Sequence, residues 1–148
     1  ATAGAAAGRP WQWWIDGHCD AVKQLAGAMS GRLAPLTPLG KPSAIHEVVR
    51  RAAEAVRGGR SGGAVLFVQS AALAACYANR CPCLRAVVGT CGQAVQQGIE
   101  QLGANVLIVE YPHHGPKGMR TMVERVIDAD RQALAAVDRQ LQELARCV

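Results

Sequence analysis

The chain has 148 residues, a mass of 15.6 kDa and a formal charge of +5, a size that fits one compact domain better than two. Half of the residues are apolar, 18% are charged and only 4% are aromatic, so wholesale disorder is excluded and the core has to be aliphatic, built from Ala, Val, Leu and Ile. No apolar stretch approaches the about 18 residues of a membrane-spanning helix, which leaves a soluble domain as the expectation.

Residues 1–10, ATAGAAAGRP, form a small-residue tail with no Met and no hydrophobic signal core. Removal of a transit peptide would leave such an end, which points to the plastid stroma or the mitochondrial matrix; a shortened chain and a cytoplasmic location are the alternatives. Trp11–Ile15 reads as a strand that runs into the loop Asp16-Gly17-His18. Ala21–Met29 places Val22, Leu25, Ala26 and Met29 on one helical face, and Gly31 ends it. The stretch 32–40 carries Pro35 and Pro38, which restricts it to an edge strand or an extended loop. Ser43 is a candidate N-cap for a helix with Ile45, Val48, Val49, Ala52 and Val56 on its apolar face, closed by Gly58-Gly59.

Ala64–Val68 is five apolar residues without alternation, the pattern of a strand buried on both faces of a parallel sheet. A helix over Ala71–Asn79, a strand over Leu84–Val88, a helix over Gln93–Leu102 and a strand over Asn105–Val109 follow. Strict alternation of strand and helix predicts an α/β fold: a Rossmann-like parallel sheet with helices on both faces. Beyond it, Val123, Ile127, Leu134, Val137, Leu141, Leu144 and Val148 recur at heptad spacing, interrupted by Asp130. One helix from Arg120 to Arg146 would be roughly 40 Å long. That outreaches so small a domain and predicts burial of part of the seam by another chain.

The six cysteines stand at 19, 76, 81, 83, 91 and 147. Reduced thiols suit a domain with this much aliphatic core; disulfides, or a metal held by Cys81, Cys83 and His113-His114, are the alternatives. The net positive charge suits phosphorylated metabolites, RNA or acidic protein surfaces, yet the sequence holds no run of five or six cations, so solubility alone also accounts for it.

Ala78-Asn79-Arg80, Pro82, Leu84-Arg85-Ala86, Ala104-Asn105-Val106-Leu107 and Gly115-Pro116 resemble the pattern of type B ribose-5-phosphate isomerases, a superfamily that includes the subunits of galactose-6-phosphate isomerase. The match runs ungapped from Ala64 to about Ile127, and Ile15–His18 resembles the family's first strand and its Asp-His loop, so the resemblance covers roughly residues 11–127. It implies aldose–ketose isomerisation through an enediolate. Such chemistry needs a base over the carbon, backbone donors around the oxyanion, an acid to open the ring and cations for the phosphate.

Those parts are missing at the positions the resemblance assigns to them. The base, a Cys in the family, is Val68. The glycine-rich loop after it reads Gln69-Ser70-Ala71-Ala72-Leu73-Ala74, with Gln69, Ala71 and Leu73 in place of glycines and larger side chains where the enediolate would sit. Ala74 stands where other members carry a carboxylate base, Thr90 at the ring-opening His, and Leu102 at a sugar-contacting Asn. His18 survives with Gly17 in the usual Asp position and Asp16 one residue early. His18, Arg80 and Arg85 are the candidates for residual anion binding. Cys19 and Cys91 are placed near the ligand-binding edge of the sheet, which leaves a relocated thiol base as a minor alternative.

The domain organisation expected is therefore a tail over 1–10, an isomerase-like α/β domain over 11–127 and a partner-packing helix over 120–148. The expected role is that of a pseudoenzyme: a structural or assembly subunit with no cofactor, no metal and no catalytic residue. A sugar-phosphate isomerase, or the non-catalytic subunit of a hetero-oligomeric one, is the alternative; a module binding a phosphometabolite or RNA is the third. Expected partners are protein subunits of a larger assembly, or a second copy in the family's homodimer manner.

Overall fold

The computed structural model describes residues 8–36, 44–132 and 134–147. Strands β1 (Trp11–Ile15), β2 (Leu33–Pro35), β3 (Ala64–Val68), β4 (Ala86–Val88) and β5 (Val106–Glu110) form one parallel sheet in the order β2-β1-β3-β5-β4. Between them run α1 (Asp20–Ala28), α2 (Ile45–Arg57), α3 (Ala71–Arg80) and α4 (Gly92–Leu102); α5 (Pro116–Asp128) and α6 (Ala135–Ala145) follow β5. The α/β class, the parallel sheet and the order of its elements are those the sequence predicts. The Pro-bearing stretch supplies the edge strand β2, while the candidate N-cap Ser43 lies outside the described residues.

The sheet's two faces follow from its alternation. Val65, Phe67, Leu107 and Val109 point to the side covered by α1, α4 and α5. Leu66, Val68, Val106 and Ile108 point to the side covered by α2 and α3. Every residue of β3 is buried, which is why its sequence shows no polar alternation. Phe67 is the largest fully buried side chain and meets Trp13 edge-on at 6.5 Å between ring centroids. With aromatic residues scarce, close helix packing relies on alanines such as Ala52, Ala74 and Ala78, each about 1% exposed or less. Gly103 stops α4 with φ +67°, a left-handed cap that side chains resist.

The predicted continuous helix from Arg120 to Arg146 is not present. α5 ends at Asp128, Ala129 turns to extended backbone (ψ 136°), and α6 starts only at Ala135. The interruption is a tertiary effect centred on Arg131. Its guanidinium lies 4.6 Å from the centroid of the Trp11 ring. It also donates to the carbonyl of Ala104 at 2.5 Å, to that of Ala129 at 3.2 Å, and to that of Val126. A cation on the terminal carbonyls of α5 opposes the negative end of the helix dipole, and its face on Trp11 adds a cation–π contact. Burial draws this arginine down to about 10, so it keeps its charge at neutral pH. These contacts take the place of the helical hydrogen bonds between the end of α5 and the start of α6. Arg32 pairs with Asp128 beside the break.

The heptad seam is therefore divided. Val123 and Val126 are buried beneath α5, whereas no residue of α6 is buried and Leu144 is 64% exposed. α6 is held by Asp138, which accepts from Arg85 Nη2 at 3.1 Å. The two halves of the tail should differ in energetic weight. Arg131→Ala is expected to lower the urea-unfolding free energy by about 2–3 kcal/mol, from the lost stacking and carbonyl bonds. A chain ending at Gln132, which lacks α6 but keeps Arg131, should lose about 1 kcal/mol or less, since an exposed ion pair and partly covered leucines are all it gives up.

Candidate functional site

In an open parallel sheet, ligands bind beyond the carboxyl ends of strands whose following segments depart to opposite faces. That condition holds around β3. The segment after β3 leads to α3 on one face, whereas those after β1 and β5 lead to α1 and α5 on the other. The crevice so defined is bounded by residues 16–19, 69–71 and 110–114.

The protein's own carboxylates occupy backbone donors at its edge. Asp16 Oδ2 accepts the backbone N–H of Gln69 at 2.9 Å, and Glu110 Oε2 accepts the backbone N–H of Ala71 at 2.9 Å. These are donors at the N-terminus of α3, where the helix dipole favours an anion; Ser70, at its N-cap position, makes no side-chain cap bond. The two carboxylates stand where a substrate oxyanion would need backbone hydrogens. Tyr111 fills the rest. A Cβ placed on Gly17 would lie 2.6 Å from the Tyr111 hydroxyl oxygen and 3.4 Å from Gln69 Nε2, so the absent side chain is what admits the phenol. Burial pushes the Tyr111 phenol above its ordinary value, countered by the Gln69 amide and reinforced by the Asp16 carboxylate.

The degenerate positions named from the sequence fall as follows. Val68 is 3% exposed and carries no exchangeable proton; Ala71 and Ala74 are buried under α3. α3 begins at Ala71, as the sequence predicts, so Ala71–Ala74, which align with the family's glycine-rich loop, form its first turn. Leu73 does not occupy the enediolate space, because it sits on the outer side of α3 and is 57% exposed. Tyr111 is the buried residue of the crevice, Glu110 is half-buried, and Asp16 and Gln69 stand exposed at its mouth. Thr90 lies exposed between β4 and α4, near the same edge.

His18 also belongs to this edge, but its Nε2 turns to Asp20 at 3.0 Å, with both side chains largely exposed. Arg80 and Arg85 do not join it. They precede β4, at the opposite, amino-terminal edge, as does Leu102 at the end of α4. One chain therefore does not assemble His18, Arg80 and Arg85 into a single anion site. Arg85 is further committed to the Pro82 carbonyl at 2.8 Å and to Asp138. The proposed Cys81, Cys83 and His113-His114 set is likewise split between the two edges, and no cluster of three or more candidate metal ligands exists among the described residues.

All six cysteines are unpaired. Cys19 and Cys91 do lie at the carboxyl edge, preceding α1 and α4. The Cys91 sulfur accepts the Ala94 N–H at 3.4 Å, and that bond draws its thiol below the usual range. Burial raises Cys81, with Cys83 adding to the shift.

The motifs that carry the family resemblance serve the opposite edge. Asn79 Oδ1 accepts from Ala86 N at 2.8 Å while its Nδ2 donates to Ala86 O, and Asn105 binds Arg85 N at 2.7 Å and Cys83 O at 2.9 Å. These two amides fasten the 81–85 turn to the sheet, a fold-keeping role. Glu110 and Tyr111 escaped the sequence reading. The signal for Glu110 is a carboxylate placed directly after four buried residues of a parallel strand, at the end where ligands bind.

Solved structures of type B ribose-5-phosphate isomerases have this fold. The Thermotoga maritima enzyme aligns with a TM-score of 0.78 over 91% of this chain and 98% of its own, at 10% identity. The Clostridium thermocellum enzyme gives 0.77 over 93% and 97%, at 18% identity. The Mycoplasma genitalium enzyme, solved with bound ribulose-5-phosphate, gives 0.72 over 93% and 99%, at 11% identity. No protein-family model and no curated protein sequence matches the chain. The architecture is thus that of a type B ribose-5-phosphate isomerase, with Asp16, Gln69, Glu110 and Tyr111 at the carboxyl-edge crevice.

Two tests bear on this geometry. Gly17→Ala should destabilise the protein by about 1–3 kcal/mol through overpacking against the phenol, and Tyr111→Phe in the same chain should recover part of that loss, as read from denaturant midpoints. Alkylation by iodoacetamide across a pH series should modify Cys91 at lower pH than Cys81, because a backbone hydrogen bond stabilises one thiolate and burial disfavours the other.

Proposed function

We propose that the chain is a catalytically silent subunit with a sugar-phosphate-isomerase fold, acting as a structural component of a larger assembly. The observation that carries this reading is the internal satisfaction of the crevice: Asp16 and Glu110 hold the Gln69 and Ala71 N–H groups. An aldose–ketose isomerase needs such donors free to meet a developing oxyanion. The position of the base is a buried valine, and the ring-opening position is Thr90. The exposed apolar residues of α6 supply a surface that burial by another subunit would complete. No helix among the described residues is long and apolar enough to cross a membrane.

The alternative role, the non-catalytic half of a sugar-phosphate isomerase, draws on the fold match itself, which takes in more than nine-tenths of the chain. The two roles part on what the chain associates with. Conversion of ribose 5-phosphate to ribulose 5-phosphate should be undetectable for the purified chain, and also for Val68→Cys, because the donors and the acid are missing along with the base. Turnover by either protein overturns the silent-subunit reading.

A further inference from the structure

We infer that the amino-terminal edge of the sheet, with the groove under α6, is a docking surface for an acidic amphipathic segment of a partner protein; this rests on the structural-subunit reading and names its contact face. The sequence shows arginines scattered singly, but the topology collects them. Every turn from a helix into a strand lies at this one edge. Arg9 precedes β1, Arg57 ends α2, Arg60 lies between α2 and β3, and Arg80 ends α3. All four side chains are exposed, and none has an ion-pair partner among the described residues. They are near one another: Cβ atoms built on Gly58 and Gly59, directly after Arg57, would lie 2.8 Å from Arg60 Nη1 and 3.5 Å from Arg9 Nη1. The helix dipole accounts for cations at the ends of α2 and α3, but not for Arg9 and Arg60.

Apolar surface adjoins these charges. A groove of about 750 Å³ runs between the 79–85 turn and α6, with Pro82, Leu84, Leu102 and Leu141 among its walls. A second, of about 490 Å³, lies between α2 and α3 and includes Arg57 and Tyr77. Arg80, Cys81 and Pro82 line both, so the two grooves meet there; among the described residues Arg57 and Arg80 are their unpaired cations, while the carboxylates that line them, Glu54 and Asp138, are already paired with Arg50 and Arg85. Leu144, 64% exposed on α6, extends the apolar side.

The chemistry of this surface selects its occupant. Aliphatic walls flanked by unpaired guanidinium groups match a segment with an apolar stripe and carboxylates beside it. Single-stranded RNA would need a succession of aromatic platforms for its bases, and among the described residues only Tyr77 and the His46 imidazole line these grooves, both in the second and neither in the larger one under α6. A second copy in a two-fold pairing would bring this edge against itself and set arginine against arginine.

The test uses the native assembly. A photoreactive amino acid is placed at Leu141 in the full chain, with Lys117 on the opposite edge as control, and the crosslinked product is identified by mass spectrometry. Leu141 is expected to capture a partner segment of net negative charge with apolar residues at helical spacing. Arg57→Glu with Arg80→Glu should lower that yield by about tenfold while the circular dichroism spectrum and unfolding midpoint stay unchanged. Crosslinks to RNA, to a second copy, to a neutral or basic segment, or from Lys117 alone overturn the inference, as does an unchanged yield in the charge-reversed chain. An isomerase assay on the same preparation reports separately on the silent-subunit reading.

Discussion

The strand Ala64–Val68 has no face toward water. Because both of its sides are apolar, helices must lie on both faces of the sheet, and the segments leaving β3 and its neighbours must part in opposite directions. The crevice at their carboxyl ends is a geometric consequence of that burial. A fold of this kind offers a ligand site whether or not the chain uses one, so the content of the crevice matters more than its presence. Here the content is two carboxylates and a phenol from the chain itself.

Arg131 sets the second half of the molecule in a similar way. By drawing three carbonyls and the Trp11 ring around one guanidinium, it ends α5 and redirects the chain under the amino-terminal edge. α6 is thereby brought against the 79–85 turn, where Asp138 meets Arg85. A single half-buried cation thus decides that the apolar residues of the tail are shared between the domain's own core and a surface facing outward.

Much of this was readable in the residues and some was not. The strand Ala64–Val68 was delimited to the residue because an unalternating apolar run bounded by polar residues admits little else. The helix faces followed from the spacing of Val22, Leu25 and Met29, or of Val48, Val49 and Ala52. The break at 129–134 was hidden: local propensity there favours helix, and the force that opposes it acts from Trp11, more than a hundred residues away. The crevice was misread in part for the same reason. Replacement of glycines is visible in the sequence but side-chain direction is not, so the sequence places Leu73 inward and does not single out Glu110 or Tyr111. Arg80, Arg85 and His18 looked like one site because a list of residues carries no edge; only the topology shows that the first two and the last face opposite ways.

The carboxylates of Asp16 and Glu110 can be regarded as ligands tethered to their own binding site. A tethered group competes at an effective concentration of about millimolar or more, which a free phosphate ester has to exceed before it reaches the same N–H donors. A protein stabilised by a metabolite gains stability as that metabolite accumulates and loses it as the pool drains. With the Gln69 and Ala71 donors occupied from within, any anion seeking them has first to displace Asp16 and Glu110, and the stability it could add is reduced by the cost of that displacement.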